Sequence, residues 1–99
     1  MPERAIVFTS VALRDLIEIR DYVRRNDSEA ASRLVDELEQ RIGLLASFPF
    51  LGKVFQDRLW GRYHVLVVNN YLVFYLVSDD QVQIRRVIHG TRRYEFLLE

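Results

Sequence analysis

Cationic and aromatic residues are concentrated where the last apolar run of the sequence ends. Residues 82–88 carry Arg85 and Arg86, and the sequence His-Gly-Thr-Arg-Arg-Tyr follows at positions 89–94. Arginine binds carboxylates and phosphates through two parallel hydrogen bonds. The pattern therefore indicates a surface that meets an acidic or anionic partner.

The same residue types are also suited to metal-free cleavage of RNA. That reaction needs a base for the 2′-hydroxyl, an acid for the leaving oxygen, and cations around the phosphorane. Two other interpretations stay open: Arg86 shares strand parity with Ile84 and Ile88, which favours pairing with a buried acid, and His89 fits a hydrogen-bonded structural residue. The chemically eligible residues are Lys53, Arg86, His89, Arg92 and Tyr94.

Metal, nucleophile and cofactor chemistry find little support in the sequence. There is no cysteine, and the two histidines, His64 and His89, fall on different predicted strands without a ligand-type spacing. No Gly-x-Ser-x-Gly elbow and no glycine-rich phosphate loop occurs. We expect no metal and no cofactor.

Length and composition indicate one small globular domain spanning residues 1–99, since 49% of the residues are hydrophobic and 12% are aromatic. The N-terminal apolar run is too short for the core of a signal peptide. No run approaches the roughly 18 apolar residues of a membrane span. We expect a cytoplasmic protein.

The formal net charge of zero conceals an asymmetry. Residues 1–50 carry seven arginines against nine acidic residues, whereas residues 58–93 carry six arginines against only Asp79 and Asp80. Thirteen of the fourteen cationic residues are arginine, and Lys53 is the exception. This bias suits bidentate contacts to anions, although the GC content of a genome produces the same bias.

Hydrophobic periodicity predicts the elements that carry these residues. Residues 4–8 form a short strand, Thr9 or Ser10 caps a first amphipathic helix, and residues 26–28 end it and cap a second helix that stops at Phe48-Pro49. Residues 49–61 have no clear period and are predicted to be a loop. Residues 63–68, 71–77 and 82–88 then form three strands joined by short turns.

The predicted fold is α+β, in the order β-α-α-β-β-β, with an antiparallel meander extended by the N-terminal strand and a helical hairpin packed on one face. The run 71–77 is apolar at every position and is therefore placed centrally, with its second face covered by the C-terminus or by a partner. The expected core consists of Leu16, Ile19, Val23, Leu34, Leu38 and Leu45 against Val73, Tyr75, Ile84 and Val87 or their strand neighbours.

An ordered set of short motifs over nearly the whole chain resembles the ParE/RelE superfamily of type II toxins. Each motif is weak alone, but together and in register they are fairly specific. The motifs are Asp15-Leu16-x-x-Ile19-x-x-Tyr22, Ala30-Ala31, Leu45-x-x-x-Pro49-x-x-Gly52, Tyr71-x-x-x-Tyr75 and Ile84-x-Arg86-Val87-Ile88-His89-Gly90-x-Arg92.

The resemblance implies a toxin that is neutralised by a co-expressed ParD- or RelB-like antitoxin in a hetero-oligomer. The mRNA-cleaving RelE-like branch typically carries an arginine where this chain has Leu72, and it tends to be strongly basic. The resemblance is therefore closer to the ParE branch, which poisons DNA gyrase by binding and not by catalysis. The alternatives are a ribosome-dependent mRNA endonuclease and an inactive toxin fold that only binds its antitoxin.

The sequence and the resemblance together suggest two contact surfaces. The expected target-binding residues are Arg62, Arg85, Arg86, Arg92, Arg93 and Tyr94. The expected antitoxin-binding residues are Leu13, Ile17, Tyr71, Val73 and Phe96.

Overall fold

The computed structural model describes residues 3–58 and 61–90, leaving out the side chain of residue 57. The helices are α1 (Ser10–Arg24) and α2 (Ser28–Gly43), and α2 continues into a 3₁₀ turn at Leu44–Ala46. The strands are β1 (Ala5–Phe8), β2 (Lys53–Asp57), β3 (Gly61–Val68), β4 (Tyr71–Val77) and β5 (Gln81–His89). No helix in this part of the chain is long and apolar enough to cross a membrane.

Both helices begin at the predicted caps. The Thr9 hydroxyl accepts a hydrogen bond from the Ala12 N–H, and the Asp27 carboxylate accepts from the N–H groups of Glu29 and Ala30. These side chains satisfy N–H groups that have no partner within the helix. The first helix ends beside Asn26 and Asp27, so the two helices form the predicted hairpin.

The five strands form one sheet in the order β1-β5-β4-β3-β2, so β4 occupies the predicted central position. Strands β2 to β5 form an antiparallel meander. The prediction of an extension by β1 is confirmed, but β1 pairs parallel to β5, with Ala5 opposite Gln81 and Phe8 opposite Ile84. The sheet is therefore mixed, because the chain returns to β1 only after both helices and the meander.

Residues 49–61 were wrongly predicted to be a loop throughout, since residues 53–57 form β2 along the edge of β3. The strand is only five residues long, and among the described residues it pairs with a neighbouring strand, β3, along one edge only. Its two apolar residues, Val54 and Phe55, are adjacent, so the local sequence lacks the apolar alternation that identifies a half-buried strand. Its pairing with β3 fixes a structure that the local pattern does not specify.

The core lies between the helical hairpin and one face of the sheet. Leu38, Ile42 and Leu45 from the second helix and its 3₁₀ turn pack with Val73 and Tyr75 of the central strand, and all are nearly inaccessible. Leu16, Ile19 and Leu34 are partly buried against this cluster, as the helical periodicity predicts. On the other face, Phe74 is also fully buried and meets the ring of Phe55 edge-on at 6.0 Å.

Replacing Leu38, which is 1% exposed, by alanine should lower the free energy of unfolding by about 2 to 5 kcal/mol, because it leaves a cavity in the core. Chemical denaturation measures the change. Leu44→Ala is the matched control, since this leucine is 45% exposed, and it should cost about 0.5 kcal/mol or less. Equal losses for the two variants would contradict the assigned helix face.

Candidate functional site

A buried ion pair joins the first helix to the last strand. The Asp15 carboxylate accepts hydrogen bonds from Nε and Nη2 of Arg86 at 2.7 and 3.1 Å, and from the backbone N–H of Val87 at 3.0 Å. The side chains of Asp15 and Arg86 are only 10% and 19% exposed. This pairing of a carboxylate with a planar guanidinium is the strongest type of side-chain hydrogen bond in the described structure.

The ion pair lies where β1 stops covering the edge of β5. The parallel pairing of β1 ends at Ile84, which accepts a hydrogen bond from the Thr9 N–H at 3.0 Å. The Thr9 hydroxyl then donates to the carbonyl of Arg85, and Asp15 takes the N–H of Val87. The register between β4 and β5 shifts at this point, which is typical of a β-bulge. The side chains of Thr9 and Asp15 thus form hydrogen bonds with backbone groups of β5 beyond the end of its pairing with β1.

The structure therefore gives Arg86 a structural role. Its guanidinium is bound by Asp15, as the alternative of a buried acid predicts. It is therefore not a hydrated charge whose water a target could replace. The earlier assignments of Arg86 to target binding and to RNA cleavage are corrected accordingly. Moving the guanidinium to another anion would leave the carboxylate of Asp15 buried without its charge partner.

A second link joins the segment before β2 to the central strand. The Gly52 N–H donates to the hydroxyl of Tyr75 at 2.9 Å, and a Cβ on Gly52 would lie 2.7 Å from the Val65 carbonyl oxygen. Burial raises the pKa of Tyr75, and the Gly52 hydrogen bond partly offsets this. Only glycine fits here, which explains two of the motif residues in structural terms.

The ring of Tyr75 stacks on His64 at 5.4 Å between centroids, and Phe50 contacts the same imidazole at 5.5 Å. Burial lowers the pKa of His64, and the nearby charge of Arg62 lowers it further. The imidazole therefore stays neutral near pH 7 and packs as an aromatic ring. No acid-base chemistry is assigned to it.

A cleft opens between α1 and the adjoining ends of β4 and β5. Tyr22 and Glu18 line its helix side, and Tyr71 and His89 line its sheet side. The rings of Tyr71 and His89 meet edge-on at 5.2 Å. Burial raises the pKa of Tyr71, and the neighbouring phenol of Tyr22 adds to the effect. The contact packs His89 of β5 against Tyr71 of the adjacent strand.

The remaining predicted cations are dispersed. Arg62 is exposed on β3, and Arg85 donates to the Gln83 side chain at 3.2 Å. Lys53 lies in the same cross-strand row as Arg86, separated from it by Val65 and Phe74, so the two backbones are roughly 14 Å apart. The described part of the chain thus does not bring Lys53, Arg86 and His89 together into one phosphate site. Arg92, Arg93, Tyr94 and Phe96 lie outside the described residues.

Within residues 3–58 and 61–90, no group of three or more histidine or acidic side chains is arranged to hold a metal ion.

The exposed apolar residues are more informative. Leu13 and Ile17, one helical turn apart, are 48% and 50% exposed, as their assignment to a partner surface requires. Tyr71 is partly buried. Val73 is fully buried in the core, so its assignment to the antitoxin surface is wrong.

Sequence reasoning missed two features of the site. It did not identify Asp15 as the partner of Arg86, although both positions belong to the quoted motifs. It also missed the exposed apolar side chains of Phe48, Phe50 and Leu51, which are 61%, 66% and 50% exposed. Their concentration before β2 is visible in the sequence, but a short apolar run there is equally typical of a buried segment.

Comparisons with known proteins agree with this architecture. Residues 6–94 match the sequence model of the ParE toxin of type II toxin-antitoxin systems, ParDE. The chain is 34% identical over 87 residues to a Caulobacter vibrioides protein named Toxin RelE2, covering 88% of this chain and 96% of that protein.

Two solved structures share the fold. The chromosomal ParDE system of P. aeruginosa superposes with a TM-score of 0.72 at 21% identity, over 88% of this chain and 96% of that chain. The RelBE2 toxin-antitoxin complex of Mycobacterium tuberculosis superposes with a TM-score of 0.66 at 24% identity, over 90% and 93% of the two chains.

Replacing Asp15 by asparagine should lower the free energy of unfolding by about 2 to 4 kcal/mol, because it leaves a poorly solvated guanidinium without a counter-charge. The matched control is Asp21→Asn on the same helix, whose carboxylate pairs with Arg20 and Arg24 at 40% exposure and should contribute about 1 kcal/mol or less. Urea denaturation compares the two. A loss for Asp15→Asn no larger than for Asp21→Asn would show that the ion pair is not a structural link.

Proposed function

This chain belongs to the ParE/RelE family of toxins from type II toxin-antitoxin systems, and we propose that it arrests growth by binding and poisoning DNA gyrase until a cognate antitoxin neutralises it. In this proposal the protein acts in the cytoplasm by occupying a surface of its target. It holds no cofactor and breaks no bond itself.

The observation that carries the proposal is Leu72. The RelE-like branch places an arginine here, and an apolar side chain cannot stabilise the negative charge of a phosphorane. In the sheet Leu72 lies opposite Val67 on one side and Ile88 on the other. The two residues directly opposite Leu72 are therefore apolar, and neither supplies the missing charge.

The overall charge supports the same choice. A toxin that enters the ribosome meets a dense field of RNA phosphates, and a strongly basic protein is attracted to it at long range. This chain has a net charge of zero. Its local cations suit recognition of a protein acid or of a DNA phosphate within a complex.

We propose that the target contacts come from the other arginines of the expected set and not from Arg86. Arg62 is exposed on β3, and Arg85 lies partly buried at the bulge of β5, where it donates a hydrogen bond to the neutral side chain of Gln83. Arg92, Arg93 and Tyr94 complete the proposed surface. All five stay proposals from the sequence and its charge pattern.

Ribosome-dependent cleavage of mRNA is the second candidate, favoured by the 34% identity to a protein named Toxin RelE2. Its proposed catalytic set now loses Arg86 to the ion pair with Asp15. Lys53, His89, Arg92 and Tyr94 would have to suffice. The third candidate is a toxin fold that only binds its antitoxin.

Expression without the antitoxin should arrest growth with induction of the SOS response, while bulk mRNA stays intact. Purified protein should inhibit gyrase supercoiling and trap gyrase-linked DNA breaks. The double variant Arg92→Ala, Arg93→Ala should reduce inhibition about tenfold or more with little loss of stability. The control Arg20→Ala, Arg33→Ala removes the same charge from exposed helix positions and should leave inhibition unchanged.

Two outcomes would replace the gyrase proposal. Codon-periodic mRNA cleavage on ribosomes, with supercoiling unaffected, would assign the protein to the endonuclease branch. The absence of growth arrest from a folded, antitoxin-binding protein would assign it to the inactive class.

The antitoxin partner is supported by the structural relatives, which are toxin-antitoxin systems. We propose that an amphipathic helix of the antitoxin packs along Leu13 and Ile17 of α1 and reaches the cleft beside Tyr71. Helix-in-groove recognition uses apolar residues at this spacing. Phe96 is retained as a proposed contact from the sequence, and Val73 is not.

The double variant Leu13→Ala, Ile17→Ala should weaken antitoxin binding about tenfold or more, since it removes exposed apolar anchors, and should change the melting temperature little. Isothermal titration calorimetry and a thermal melt measure the two effects. The matched control is Val11→Ala, 44% exposed on the same helix but on a different side. Unchanged affinity in the double variant would place the antitoxin elsewhere.

A further inference from the structure

The outer edge of β2 is a second interaction surface. Strand β2 is the end strand of the sheet, and within residues 3–58 and 61–90 no strand pairs with its outer side. Lys53, Val54 and Gln56 are all exposed. An edge strand presents N–H and C=O groups that are ready to pair with another strand.

The edge continues into an apolar patch. Phe48, Phe50 and Leu51 precede the strand and are at least half exposed, and Val54 within it is 50% exposed. Phe50 contacts His64, which is the register partner of Val54, so the patch and the strand form one surface. Contiguous exposed apolar groups beside an open strand edge are typical of a protein-protein interface.

The sequence of β2 is complementary to itself. We propose that β2 pairs antiparallel with β2 of a second copy of this chain, centred on Phe55, to form a continuous ten-stranded sheet from two five-stranded sheets. In this register the Lys53 position of one strand lies opposite the Asp57 position of the other, twice, by symmetry. Opposite charges on directly opposed residues stabilise an antiparallel pair.

The geometry of an isologous pair is satisfied by this register. In each opposed pair, Lys53 with Asp57 and Val54 with Gln56, the two residues have the same strand parity. Residues of the same parity turn their backbone N–H and C=O groups to the same side of the strand, so the outward groups of one strand meet those of the other. A shift of two residues in either direction would separate the lysine from the aspartate. The zero net charge of the chain adds no long-range repulsion between the copies.

The opposite edge of the sheet offers no such match. Strand β1 is four residues long, contains no charged residue, and leads directly into the helix that begins at Ser10. The pairing of two copies is therefore assigned to β2. It is independent of the gyrase proposal, because none of the proposed target contacts lies in this strand.

A charge swap tests the register. Sedimentation equilibrium of the full chain should show a dimer in the micromolar range. Lys53→Asp and Asp57→Lys should each raise the dissociation constant about tenfold or more, because each places like charges opposite one another. The double variant Lys53→Asp, Asp57→Lys should restore it to within about threefold of the original.

The control Arg33→Asp makes the same change of charge as Lys53→Asp at an exposed helix position and should leave the dissociation constant unchanged. Thermal melts show that each variant is folded. A wild-type protein that stays monomeric would overturn the proposal, as would a dimer insensitive to Lys53→Asp or not rescued by the swap. If the β2 amides are protected from hydrogen exchange only when the antitoxin is bound, the edge belongs to the antitoxin and the proposal of a second copy is also overturned.

Discussion

The carboxylate of Asp15 completes a strand edge that the backbone leaves unfinished. Beyond Ile84 the last strand has no neighbour in β1, and its Val87 N–H would be left without a partner next to a bulge. Asp15 accepts that N–H and at the same time fixes the guanidinium of Arg86. Asp15 thereby links the last strand of the sheet to α1, the helix that lines the cleft and carries the exposed Leu13 and Ile17.

This arrangement changes how the arginines of the family motif are understood. An arginine whose charge is neutralised by a buried acid contributes to the fold, because moving it away would leave the acid buried without a counter-charge. Arg62 is exposed and has no acidic partner among the described side chains, so it can exchange water for a target. Burial and pairing, and not the density of arginine in the sequence, separate the two classes.

Sequence patterns predicted the helices, the meander and the central strand because each has a clear period and clear ends. The capping residues Thr9 and Asp27 lie where a short-range rule places them. The direction of β1, the strand β2 and the ion pair of Asp15 with Arg86 depend on residues far apart in the chain, which local periodicity does not encode. For the same reason Val73 was assigned to a surface when it belongs to the core, since an apolar strand does not show which of its faces is covered.

The parallel pairing of β1 with β5 has a consequence for synthesis. Ala5 lies opposite Gln81, and Asp15 and Arg86 are 71 positions apart, so neither contact can form until translation has passed these residues. Until then a nascent chain holds its helical hairpin beside an open first strand and an unpaired carboxylate. Closing so long a loop is also slow. The surface that α1, β1 and β5 form together is therefore complete only after the chain has been synthesised past residue 87.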